Sequence, residues 1–139
     1  MLYDGKSIEQ WKEIMRSGEK GRDEAGAMFL SIGMAAVAPL ADLLDQAEAP
    51  ITRACAASTL WQLRERAKDA VSALERTLAT DPDVVVRLRA AQALVGIAGP
   101  DHSAAVHHLR QTARSIDPTL AQWIKQDAKL ILKDAGISE

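Results

Sequence analysis

One apolar pattern recurs along the chain and limits what it can fold into. Ile8, Trp11 and Met15 stand at positions i, i+3 and i+7, and the same spacing returns at Val37, Leu40 and Leu44, at Val71, Leu74 and Leu78, and at Val106, Leu109 and Ala113. At about 100° per residue, three such side chains form one stripe along a helix. Successive copies begin 29, 34 and 35 residues apart, in the range of helical repeat arrays.

Between the triplets lies a second kind of segment, rich in alanine: AGAMFLSIG, RACAASTLWQL, RLRAAQALVGIAG and IKQDAKLILKDAG. Small residues let neighbouring helices approach closely, and Leu30, Leu60, Leu94, and Leu130 or Ile131 serve as anchors. The two kinds alternate as hairpins, each too small to bury its own apolar face, so they must stack on one another. Ser7 with Gln10 is spaced as a capping box, Asp81-Pro82 and Asp117-Pro118 read as N-cap acids before a first-turn proline, and Gly33, Gly99 and Gly136 fall where helices end. No segment alternates with period two over the length of a strand, so no sheet is expected.

The segment LERTLATDPD followed by VVVRLRAAQALVGIAG resembles bacterial HEAT-like repeats, through its Asp-containing turn, Val86-Arg87, Ala90-Ala91 and Leu94. GKSIEQWKEIM is similar to the opening of such arrays. The likeness extends from Ser7 to Gly136, with Thr52-Arg53 and Trp123-Ile124 in place of Val-Arg in the second and fourth copies. It implies an all-α fold: a short right-handed α-solenoid of about four HEAT-like hairpins, or about eight helices, in a single domain over residues 1–139. Tetratricopeptide and ankyrin arrays have similar periods, but the Trp, Gly and Tyr positions of the former and the TPLH turn of the latter are absent.

Composition narrows the function. Lys and Arg total 17 against 19 Asp and Glu, a net charge of −2, which supplies no overall attraction to a phosphate backbone or anionic membrane. Cys55, the single cysteine, cannot form an internal disulfide, and no run of about 18 uninterrupted apolar residues is present to span a bilayer. The first residues lack the layout of a secretory signal, so a bacterial-type cytoplasm is the expected setting.

In a HEAT-like stack the triplet helices line the concave side, and the resemblance implies that arrangement here. The face opposite each triplet carries Glu9, Gln10 and Glu13; Ala38, Pro39, Asp42 and Asp45; Ser72, Ala73, Arg76 and Ala79; and His107, His108, Gln111 and Arg114. This predicts a groove that is acidic at one end and basic or histidine-bearing at the other, with alanines at its floor, suited to a protein or peptide of complementary charge. Trp11 falls on a triplet and is expected in the core, whereas Trp61 and Trp123 are candidate contact residues at an edge or end.

No convergent chemistry is expected, and neither a cofactor nor a metal is called for. His107 and His108 diverge by about 100° on a helix, a poor arrangement for shared ligation, and the His-Glu pairs of di-iron HEAT-like hydroxylases are missing. Cys55 lies on an alanine-rich segment where a small buried side chain fits, and Asp23-Glu24 suits a helix start better than acid–base work. The expected function is a non-catalytic protein-interaction module, serving as scaffold, inhibitor or toxin-neutralising immunity protein. A nucleic-acid-binding or base-processing HEAT-like protein is the alternative, resting on Trp61, Arg64, Arg66, Lys68, Arg87 and Arg89, but the predicted groove has the wrong overall sign for it.

Overall fold

A computed structural model describes residues 1–139, apart from the side chain of Glu19. Its helices are α1 (Ile8–Ser17), α2 (Glu19–Ile32), α3 (Val37–Gln46), α4 (Pro50–Leu63), α5 (Val71–Thr80), α6 (Val84–Ala98), α7 (Ser103–Ala113) and α8 (Gln122–Asp134). Short 3-10 segments, Gly33–Ala36 and Arg64–Ala70, join α2 to α3 and α4 to α5 without a break. Counted as uninterrupted runs, the chain is therefore six helices rather than eight separate ones. No β-strand forms among the described residues, and the one isolated bridge pairs Tyr3 with Lys6.

The triplets are buried but for Ile8 and Val71, which are partly so. Trp11, Leu40, Leu74 and Leu109 are each 0% exposed, and the third members, Met15, Leu44, Leu78 and Ala113, lie in the same core. The alanine-rich helices bring Ala56, Ala57, Ala90, Ala91 and Ala128 to full burial. Each odd-numbered helix packs on the following even one, and α1, α3 and α5 also contact in series, as do α2, α4, α6 and α8. Each repeat thus completes the core of its neighbour, the only way such small hairpins can keep their apolar faces from water.

One anchor differs from expectation: Phe29 is fully buried and Leu30 only partly, while of the two candidates in the last copy Ile131 is the buried one and Leu130 is 54% exposed. Thr59, Thr77 and Thr112 survive in this core by turning back on their own helix, as where Thr77 Oγ1 donates to Ala73 O at 2.9 Å and Thr112 Oγ1 to His108 O at 2.9 Å, while Thr52 Oγ1 is buried without a hydrogen-bond partner. The run from Lys20 to Gln46 is long and apolar enough, by length and composition, to cross a membrane. In this fold its Ala25, Phe29, Ala36, Leu40, Leu43 and Leu44 belong to the common core.

The capping box at Ser7 and Gln10 forms in both directions. The two expected Asp-Pro caps do not. Asp83, not Asp81, caps α6 by accepting from Val85 N and Val86 N at 2.9 and 3.0 Å. Asp117 closes a local turn onto Thr119, well before α8 begins at Gln122. Asp81 is used across repeats instead. Arg53 holds it through two hydrogen bonds, Nε to Oδ2 at 2.7 Å and Nη2 to Oδ1 at 3.1 Å, while its Nη1 donates to Ala47 O and Glu48 O. Arg87 stands in the next repeat where Arg53 stands in its own and donates to Asp81 O at 2.7 Å. Burial raises the Asp81 pKa, but Arg53, the Asp83 amide and Arg87 together bring it below the ordinary carboxylate value.

Candidate binding site

The predicted groove charges are exposed, and the acids among them are each met by a basic side chain. Glu13 binds Arg16 on its own helix, and Lys12 reaches both Glu9, at 4.0 Å, and Asp42 of the next triplet helix, at 3.2 Å. Asp45 meets Arg76 at 3.2 Å and Glu75 meets His102 Nε2 at 2.9 Å. The result is a row of polar contacts, ion pairs from α1 to α3 and from α3 to α5 and a hydrogen bond from α5 to the start of α7. Only Asp45 with Arg76 joins the acidic end expected from the sequence to the basic one; the other acids are met by Lys12 and Arg16, outside the predicted face.

Pro39 and Ala73 are buried and His108 is half-buried, contrary to their expected place on the free face. A helix in a stack packs on its own hairpin partner and on the adjoining repeat, so its buried arc is wider than one stripe. That wider arc takes in the residue two positions after each triplet's start on α3, α5 and α7. Burial, with the positive charges of Arg87 and His107, holds the His108 pKa below the ordinary imidazole value. Its Nε2 is buried without a hydrogen-bond partner.

Glu9, Glu13, Asp42, Asp45, Arg76, His107, Gln111 and Arg114 remain exposed. They do not converge on one point, but the last repeat makes a hollow. α7 packs on α6 and barely touches α5, and the gap is a cavity of about 270 Å³ lined by Glu75, Leu78, Ala79, Ala104, His107 and Gln111 among others. His102 closes one end. Its Nδ1 accepts from Ala105 N at the start of α7, which leaves Nε2 to face Glu75. The sequence offered His102 only through its clustering with His107 and His108, and Glu75 and Ala104 were missed because they fall outside the arc taken as opposite the triplet. Small residues just before a triplet on one helix and just after it on the next were the available signal.

The tryptophans part company. Trp11 is 0% exposed and donates from Nε1 to Tyr3 O at 2.8 Å, while Trp123 is 50% exposed. Trp61 is partly buried, with the Arg64 guanidinium 4.3 Å from its ring centroid. Of the other expected nucleic-acid contacts, Arg87 is engaged at Asp81 O and Arg89 with Asp127 at 2.7 Å, while Arg66 and Lys68 are exposed. Cys55 is half-buried rather than fully so; it lines a crevice between α2 and α4, and burial raises its thiol pKa.

No protein-family model matches the chain, and comparison with curated proteins and with solved structures gives no match to either.

Proposed function

We propose that the chain is a short HEAT-like α-solenoid that works as a non-catalytic protein-interaction module, holding a segment of a partner protein in the hollow between α5 and α7. The observation that carries this reading is the opening in the triplet layer. α5 and α7 stand apart where α1, α3 and α5 contact in series, and the space between them has an alanine and leucine floor beneath a polar rim. Such a hollow accepts an apolar side chain, while Gln111, His107 and the Glu75 carboxylate supply orientation.

The test compares proteins retained from a lysate at low salt by the immobilised chain and by two variants. Ala79→Arg with Gln111→Arg fills the hollow with charge, and Ser31→Arg adds a charge on exposed surface elsewhere. A partner bound by the parent and by Ser31→Arg, but not by the double variant, is the expected result. Equal retention by all three removes the hollow as the site, and turnover of any substrate by the purified chain removes the non-catalytic reading.

A further inference from the structure

At the C-terminal ends of α2, α4 and α6 the backbone turns through positive φ, at Gly33 (81°), Arg64 (55°) and Gly99 (103°). Glycine takes that conformation without steric cost, and arginine does not. The middle repeat therefore carries backbone strain in order to place a guanidinium there, and strain of this kind clusters at sites of use. Arg64 lies over the Trp61 ring, and both rest against Gly96 of α6. A Cβ at that position would stand 2.5 Å from Trp61 Cδ1, 2.8 Å from Trp61 Nε1 and 2.7 Å from Arg64 Nη1.

The three residues line a groove of about 350 Å³ together with Gln92 of α6, Pro100, and Ile131 and Asp134 of α8. Among the described residues the Arg64 guanidinium, the Trp61 indole N–H and the Asp134 carboxylate have no hydrogen-bond or ion-pair partner within the chain. Two adjacent residues with unused donors and one with an unused carboxylate thus line the same groove.

We propose that this groove binds a peptide segment carrying both signs of charge: an acidic side chain received by Arg64 and Trp61 Nε1, and a basic one meeting Asp134. A planar guanidinium beside an N–H donor matches a carboxylate, and the stacked indole supplies a rigid apolar surface for the segment between the two charges. A nucleic acid is a poor fit, because a run of phosphates needs several cations and this groove offers one cation and one acid. The site lies on the alanine-rich layer and does not depend on the hollow between α5 and α7.

The probe is the capped peptide acetyl-Glu-Ala-Leu-Lys-amide, titrated into the full-length chain while the Trp61 indole and Gly96 amide signals are followed by NMR. Saturable shifts are expected, with a dissociation constant of about 1 mM, and the analogue with Gln for Glu should bind about tenfold more weakly. Arg64→Gly should weaken binding by a similar factor while leaving the thermal midpoint unchanged or higher, since glycine relieves the strained backbone. Non-saturating shifts, equal binding of the Gln peptide, or unaltered binding by Arg64→Gly would overturn the assignment. So would binding of a short oligothymidine in place of the peptide, or a clear loss of stability in Arg64→Gly, which would make the arginine a structural clamp.

Discussion

The two ends of the alanine-rich helices use arginine in opposite ways. At their N-terminal ends Arg53 and Arg87 are tied to the turns: Arg53 reaches a carboxylate and two carbonyls, Arg87 a carbonyl, and Asp81 receives from both. At the C-terminal end of α4, Arg64 sits on strained backbone against an aromatic ring and spends none of its donors within the described chain. A satisfied, largely buried guanidinium holds repeats together. An unsatisfied one at the lip of a groove stores binding capacity at the expense of stability.

Removing Arg53 is the strongest way to break that comparison. Arg53→Ala leaves Asp81, whose side chain is 6% exposed, without its charge partner, and should cost about 3 to 5 kcal/mol in urea unfolding. A shift no greater than that of a surface variant would show that the turns are not where the repeats are joined. Gly96→Ala probes the opposite end. The added methyl has no room beside Trp61, and overpacking exceeds the roughly 1 kcal/mol gained in helix propensity. A net loss of about 1 kcal/mol is expected, with the tryptophan emission shifted to the red as the indole moves toward water.

The pH dependence separates two further groups. His108 has a lowered pKa in the fold, so the unfolded chain binds the extra proton more readily. Its contribution to stability is complete above the ordinary imidazole value of about 6.5 and declines as pH falls through it. Thermal midpoints of the parent and His108→Gln should therefore converge in acid and separate above that value. Asp81, also lowered, keeps its contribution until the pH falls through the carboxylate range. The smallest effects belong to the exposed ladder. Asp42→Asn and Asp45→Asn should each change stability by less than about 1 kcal/mol, and less still in high salt.

The triplets made the helices and their buried stripes legible from the sequence, because a spacing of three and four admits one periodicity. Adjoining side chains were harder to place. Phe29 and Leu30, or Leu130 and Ile131, differ by a rotation of about 100°, and which of each pair is buried depends on the angle of the neighbouring helix. The same geometry moved Pro39, Ala73 and His108 off the free face. Contacts such as Lys12 with Asp42 or Arg53 with Asp81 join residues 30 and 28 positions apart, so they exist only once repeats stack. The strain at Arg64 had a faint signal, an arginine in the position that carries glycine in the first and third copies.

The way the helices are joined has a mechanical consequence. Helical residues run without a gap through the 3-10 segments from α2 into α3 and from α4 into α5, whereas residues 18, 47–49, 81–83, 99–102 and 114–121 interrupt the helices, the two longest gaps flanking α7. Under tension applied through its two ends the chain is a spring of uneven stiffness, with its most compliant joint next to α7. In an optical trap the α7 and α8 pair should release first, before the portion containing α2 to α5. The hollow between α5 and α7 straddles that joint, so a partner seated in it would act as a splint and raise the force of the first release.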